Sequence, residues 1–130
     1  MVDDEGGPGI SPYDTVASAG LRFAVEIIAW VAGPMAAAEL ADNGWAAIPT
    51  LVVLVAIPAV FSTPGDKKQI VVATPGRFRV LIEFGLHAVA AFGAYVTWPT
   101  LLAVVAILVI CGSLVAGTPR MLWLLGDAQP

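Results

Sequence analysis

Hydrophobic residues run along this chain in long stretches separated by short polar breaks. A hydrocarbon core of about 30 Å needs roughly 20 apolar residues of helix, and four segments approach that length: Val16–Glu39, Trp45–Ser62, Phe78–Thr97 and Trp98–Ala116. The breaks carry turn chemistry. Ala41-Asp42-Asn43-Gly44 reads as a turn and Thr63–Lys68 (TPGDKK) is polar. Trp98-Pro99 lets proline open a helix where its missing N–H costs nothing. Pro34, Pro49 and Pro58 fall in or near helical runs, as kinks or helix starts that neighbouring helices tolerate in a membrane. No apolar/polar alternation over about ten residues supports a membrane β-barrel. The pattern predicts an all-α polytopic membrane protein of four transmembrane helices. Its parts are a disordered acidic tail (1–14), a first hairpin (15–64), a basic loop (65–77), a second hairpin (78–118) and a C-terminal segment (119–130). The stretch PRMLWLLG (Pro119–Gly126) is too short to span and is expected to lie along the membrane surface.

Composition supports the same solvent. The 130 residues are 58% hydrophobic and 12% charged, against about 25% charged in soluble domains. So few charges could not cover the apolar surface of a small soluble fold, so lipid must be the solvent. Asp3, Asp4, Glu5 and Asp14 precede the first apolar stretch; this opening lacks the basic region of a signal peptide. Six Lys and Arg with no basic stripe argue against nucleic acid. The single cysteine, Cys111, can form neither an internal disulfide nor a multi-cysteine metal site. No cofactor is expected.

Basic residues set the orientation. Lys67, Lys68, Arg77 and Arg79 lie in or beside the middle loop, Arg22 near the start of the first helix and Arg120 after the fourth. The other loops have none. The positive-inside rule therefore puts both termini and the middle loop in the cytoplasm of a bacterial inner membrane. Trp45, Trp98 and Trp123 then fall at the interfaces, as an aromatic belt requires.

The halves resemble each other. GLRFAVE (Gly20–Glu26) and FRVLIE (Phe78–Glu83) each place an Arg four residues before a Glu, and VFSTP (Val60–Pro64) parallels VAGTP (Val115–Pro119). A tandem duplication of a hairpin, related about an axis along the membrane normal, explains both matches. The same residues resemble the YrdB-like family of small bacterial membrane proteins: Leu21-Arg22-Phe23 with Glu26, Phe61 with Pro64, and Arg79 with Glu83. The resemblance covers nearly the whole chain apart from the acidic tail and the last dozen residues, and it implies the four-helix fold without an activity. The long GDKKQIVVATPG connection departs from it.

Charge at membrane depth costs about 2.5–3.5 kcal/mol per residue on insertion scales and must be paired. Arg22 and Glu26 lie one turn apart on one face, as do Arg79 and Glu83, with His87 one turn deeper and Trp30 its counterpart in the first half. Neighbouring first and third helices would bring Arg22, Glu26, Arg79, Glu83 and His87 together. Cross-pairs Arg22–Glu83 and Arg79–Glu26 are expected. Gly33 with Ala37, and Ala90 with Ala94, are small-xxx-small pairs suited to packing within the bundle, a homo-oligomer or a larger membrane complex.

Two functions compete. One is a non-enzymatic scaffold or accessory subunit whose charges are architectural. The alternative is a transporter or ligand-binding bundle with a polar pocket at Glu26, Glu83 and His87. Small multidrug transporters share the helix count and a glutamate in the first helix, but RFAVEIIAW around Glu26 does not match them. No nucleophile–base pair, phosphate loop or metal motif suggests an enzyme. Mutually satisfied charges favour the first function, and a hydrated cavity beside His87 favours the second.

Overall fold

The computed structural model describes residues 13–62 and 72–126. The acidic tail up to residue 12, the Lys67–Lys68 loop and the last four residues lie outside this range. Helix α1 spans Val16–Ala41, a 3-10 turn Gly44–Ala46 leads into α2 (Ala47–Val60), and α3 (Gly76–Thr97), α4 (Thr100–Ala116) and α5 (Thr118–Gly126) follow. Two short parallel strands, β1 (Phe61–Ser62) and β2 (Val72–Ala73), join where the chain passes between halves, with Phe61 opposite Val72.

The helix ends follow their local chemistry. Thr15 caps α1 reciprocally with Ser18: each side chain accepts the other's backbone N–H. At the far end Asp42 takes the left-handed conformation at φ 52°, which a short polar side chain tolerates. Asn43 then accepts from the Trp45 N–H at 3.0 Å, which starts the turn into α2. The Pro99 and Pro119 rings stand at the openings of α4 and α5. Pro58, inside α2, cannot donate to the Leu54 carbonyl one turn back. The Trp30 indole of α1 donates to that carbonyl instead, at 3.2 Å.

The core is a seam of small residues between α1 and α3. Val25 and Ala29 pack with Leu86 and Ala90, and further along Ala32 packs with Ala94 and with Ala106 of α4. Because the contacts advance together along both helices, α1 and α3 run parallel. Their backbones nearly touch: a Cβ at Gly93 would lie 2.6 Å from the Ala32 carbonyl carbon and oxygen. A Cβ at Gly33 would meet Leu54 at 2.7 Å and Val89 at 2.8 Å. Ala90 and Ala94 are wholly buried, so the small-residue pair on α3 serves packing inside the bundle. Outward faces of α2 and α4 expose Val52, Val53, Leu101 and Leu108.

By length and composition α1 and α3 can each cross a membrane, and α4 with α5 forms a third candidate span bent by 52° at the break between them. Helix α2 is a shorter apolar helix. This is compatible with a membrane location. The C-terminal segment is packed against the bundle. It is a helix docked on α3, with Arg120 and Leu124 buried, and a Cβ at Gly76 would fall 1.7 Å from the Leu124 carbonyl oxygen. The end of the tail also touches α5: the Tyr13 ring lies against Trp123, tilted by 48° with 6.3 Å between ring centroids.

Gly93→Ala therefore drives a methyl group into the α1 backbone and should cost about 1–3 kcal/mol, the usual range for overpacking. Gly85→Ala, where a Cβ meets nothing within 4 Å, should be neutral or slightly stabilising. Thermal unfolding in detergent should separate the two, and equal melting temperatures would contradict the close α1–α3 approach.

Candidate functional site

Helix α3 presents Arg79, Glu83 and His87 along one buried stripe, at 0%, 1% and 4% exposure. Glu83 is the centre. Arg79 Nε donates to Glu83 Oε2 at 3.0 Å from one turn earlier. Arg120, arriving on α5, donates through Nη1 to Oε1 at 2.7 Å and through Nη2 to Oε2 at 2.6 Å. That two-pronged geometry is the strongest form of carboxylate recognition.

Two cations on one anion leave positive charge, and helix α2 supplies part of the balance. Arg79 Nη1 donates to the carbonyls of Pro58 and Phe61, at 2.8 and 2.9 Å, at the C-terminal end of α2. Helix C-termini carry unsatisfied carbonyls and partial negative charge. Arg79 thereby caps α2 from a neighbouring helix. Its remaining nitrogen, Nη2, is buried with no hydrogen-bond partner.

His87 has two partners. Nδ1 lies 2.7 Å from the Glu83 carbonyl and Nε2 lies 3.1 Å from Ser113 Oγ on α4. A carbonyl only accepts, so Nδ1 carries a proton and donates to it, while Nε2 pairs with the Ser113 hydroxyl. His87 thus ties α3 to α4 as its counterpart Trp30 ties α1 to α2.

Arg22 belongs to the edge of the cluster. It pairs with Asp14 at 2.7 Å, and the Ser18 hydroxyl donates to the same carboxylate. Partial burial alone would raise the Asp14 carboxyl, but hydrogen bonds from Arg22 and Ser18 and the Arg22 charge hold it below its ordinary value. Arg22, Ser18, Glu83, His87, Ser113 and Arg120 surround a small space with no room for a water molecule. Glu26, half-buried on α1, does not line it.

The expected gathering is therefore met in part. Arg22, Arg79, Glu83 and His87 stand at one end of the bundle, but the pairing differs. Arg120 takes the place expected of Arg22 on Glu83, Arg79 turns to its own helix and to α2, and Arg22 takes Asp14. The docking of α5 on α3 brings in a third guanidinium, and Arg120 is the one that meets both Glu83 oxygens. Arg120, Ser113 and Asp14 were not anticipated. Signals for them existed. Arg120 and Leu124 share one face of an otherwise apolar segment, and Ser113 is a lone hydroxyl in the C-terminal half of an apolar helix. Among the described residues no group of three His, Cys, Asp or Glu could hold a metal ion.

No protein-family model, characterised protein or solved structure matches the chain.

Removing one partner from a buried, hydrogen-bonded ion pair typically costs about 3–5 kcal/mol. Arg120→Met should approach that range, because both Glu83 oxygens lose a donor. Arg22→Met should cost well under half as much, since Arg22 is partly exposed and Asp14 keeps the Thr15 N–H and the Ser18 hydroxyl as donors. Detergent-unfolding midpoints would rank them, and an Arg22 variant as damaging as the Arg120 variant would refute this order.

Proposed function

We propose that this chain is a small non-enzymatic integral membrane protein, a scaffold or accessory subunit, whose Arg/Glu cluster is architectural. The observation that carries the reading is the closure of the cluster. Both oxygens of Glu83 accept from guanidiniums, both nitrogens of His87 have partners, and the space between them admits no water. A transport or binding pocket centred on Glu26, Glu83 and His87 would need α5 to withdraw first.

The same reading holds that the chain crosses the membrane four times. Helix α4 rises roughly 26 Å and α2 with its preceding turn roughly 27 Å, both near the core thickness of about 30 Å. The apolar outer faces of both helices support it. Both termini and the middle connection are cytoplasmic in this proposal, which puts Arg22, Arg79 and Arg120 at the inner boundary. The bacterial inner membrane, a duplicated hairpin and membership of the YrdB-like family belong to the same proposal. Support for duplication comes from the parallel α1–α3 seam and from two analogous ties, Trp30 to Leu54 and His87 to Ser113, each joining the first helix of a hairpin to its second.

Two measurements test this. In a Cys111→Ser background, single cysteines replacing Asn43 and Thr97 should react with an impermeant thiol reagent from outside. Cysteines replacing Tyr13 and Lys67 should react only after permeabilisation; external labelling of Lys67→Cys would reverse the orientation.

The second replaces the whole cluster, with Arg79→Met, Glu83→Leu and Arg120→Met together. Buried ion pairs exchanged for apolar residues of similar volume are often neutral or stabilising. The triple variant should therefore keep its unfolding free energy to within about 2 kcal/mol and should complement a deletion strain. A stable variant that fails to complement would make the cluster a working site and overturn the architectural reading.

A further inference from the structure

An apolar groove runs down the outside of the bundle between α2 and α3, and its dimensions match one lipid chain. Its deeper part, about 270 Å³, lies between Val53 and Ile57 on α2 and Ile82 and Val89 on α3. Its outer part, about 430 Å³, continues between Phe61, Thr74 and Phe78. The two share Ile57 and Ile82, so they adjoin along the same pair of helices and together mark one channel-like stretch of surface. The groove exists because α2 leans on α1 more than on α3, and because Gly85 contributes no side chain to fill it. A Cβ there would meet nothing within 4 Å.

From Phe78 to Val89 the channel follows α3 for about 16 Å at the helical rise of 1.5 Å per residue. That is half of a hydrocarbon core of about 30 Å, the depth of one leaflet. The mouth carries a cation. Arg77 is exposed, and its guanidinium sits 5.0 Å over the ring of Phe78, which lines the groove. A stacked guanidinium is held in position and remains open to a phosphate.

We propose that this groove binds an anionic glycerophospholipid, one acyl chain lying between α2 and α3 and its phosphate paired with Arg77. The inference rests on the membrane reading given above and adds a specific ligand to a surface that reading leaves to bulk lipid. A basic residue at a membrane surface favours anionic lipid by about fivefold, whereas the groove itself discriminates by filling.

The full chain, purified in mild detergent, would be mixed with dioleoyl phosphatidylglycerol or dioleoyl phosphatidylcholine and the retained lipid counted by native mass spectrometry. The wild-type chain should hold one phosphatidylglycerol with about fivefold preference over phosphatidylcholine. Arg77→Gln should bring the two to parity. Gly85→Leu, which fills open space, should expel both lipids, while Gly20→Leu, likewise open on α1, should expel neither. Melting temperatures of all variants would show that each is folded. Retention of lipid by folded Gly85→Leu, or an unchanged preference in Arg77→Gln, would overturn the proposal. Failure of the underlying reading looks different: the wild-type chain would then leave its membranes in alkaline carbonate without detergent. Integral behaviour with indifference to lipid type would sink the groove alone.

Discussion

The structure depends on a carboxylate in an apolar bundle that has to be neutralised where it stands. Glu83 is buried on α3, and an isolated charge there would be far more costly than any single apolar contact could offset. Two guanidiniums meet that need. Each comes with structural consequences, because Arg79 also holds the C-terminal carbonyls of α2, and Arg120 can reach Glu83 only if α5 folds back onto α3. One buried anion thereby fixes the positions of three helices. Its worth lies in what its loss would strand rather than in net attraction, since buried ion pairs roughly break even against apolar packing.

The seam between α1 and α3 supplies the rigid frame for this arrangement. Small residues let two backbones approach until Gly93 meets the Ala32 carbonyl, and between helices in lipid such packing replaces the hydrophobic drive that operates in water. The polar ties complement it. A proline-freed carbonyl on α2 receives the Trp30 indole N–H, and a histidine on α3 pairs with the Ser113 hydroxyl. Polar groups that would be costly in hydrocarbon are spent on holding helices in register.

This distribution separates two kinds of surface. The interior polar end is closed, with its donors and acceptors directed at one another. Only Arg79 Nη2 stands apart among the buried side-chain nitrogens and oxygens of the described residues. The exterior between α2 and α3 is open, apolar, and edged by Arg77. Chemistry that needs an exposed polar group has little to work with in the first, while the second suits a lipid chain. The scaffold reading and the lipid proposal follow from that contrast.

Hydrophobic runs and their breaks determined the helices themselves. Val16, Thr97 and Ala116 begin or end helices where the pattern put them, because apolar length and Pro, Gly and Asn breaks act locally along the chain. The parallel contact of α1 and α3 was also legible, from small residues and matching Arg/Glu spacing. The partners of the charges were not. Residues at i and i+4 on one helix announce a shared face, but which cation reaches Glu83 depends on distances between helices, and these were set by the docking of α5 and the close approach of Gly76 to Leu124. A nine-residue helix that is too short to span shows which of its residues share a face but not which element that face will meet. Only tertiary packing decided that it closes the polar end of the bundle, and that Arg120 rather than Arg22 neutralises its buried acid.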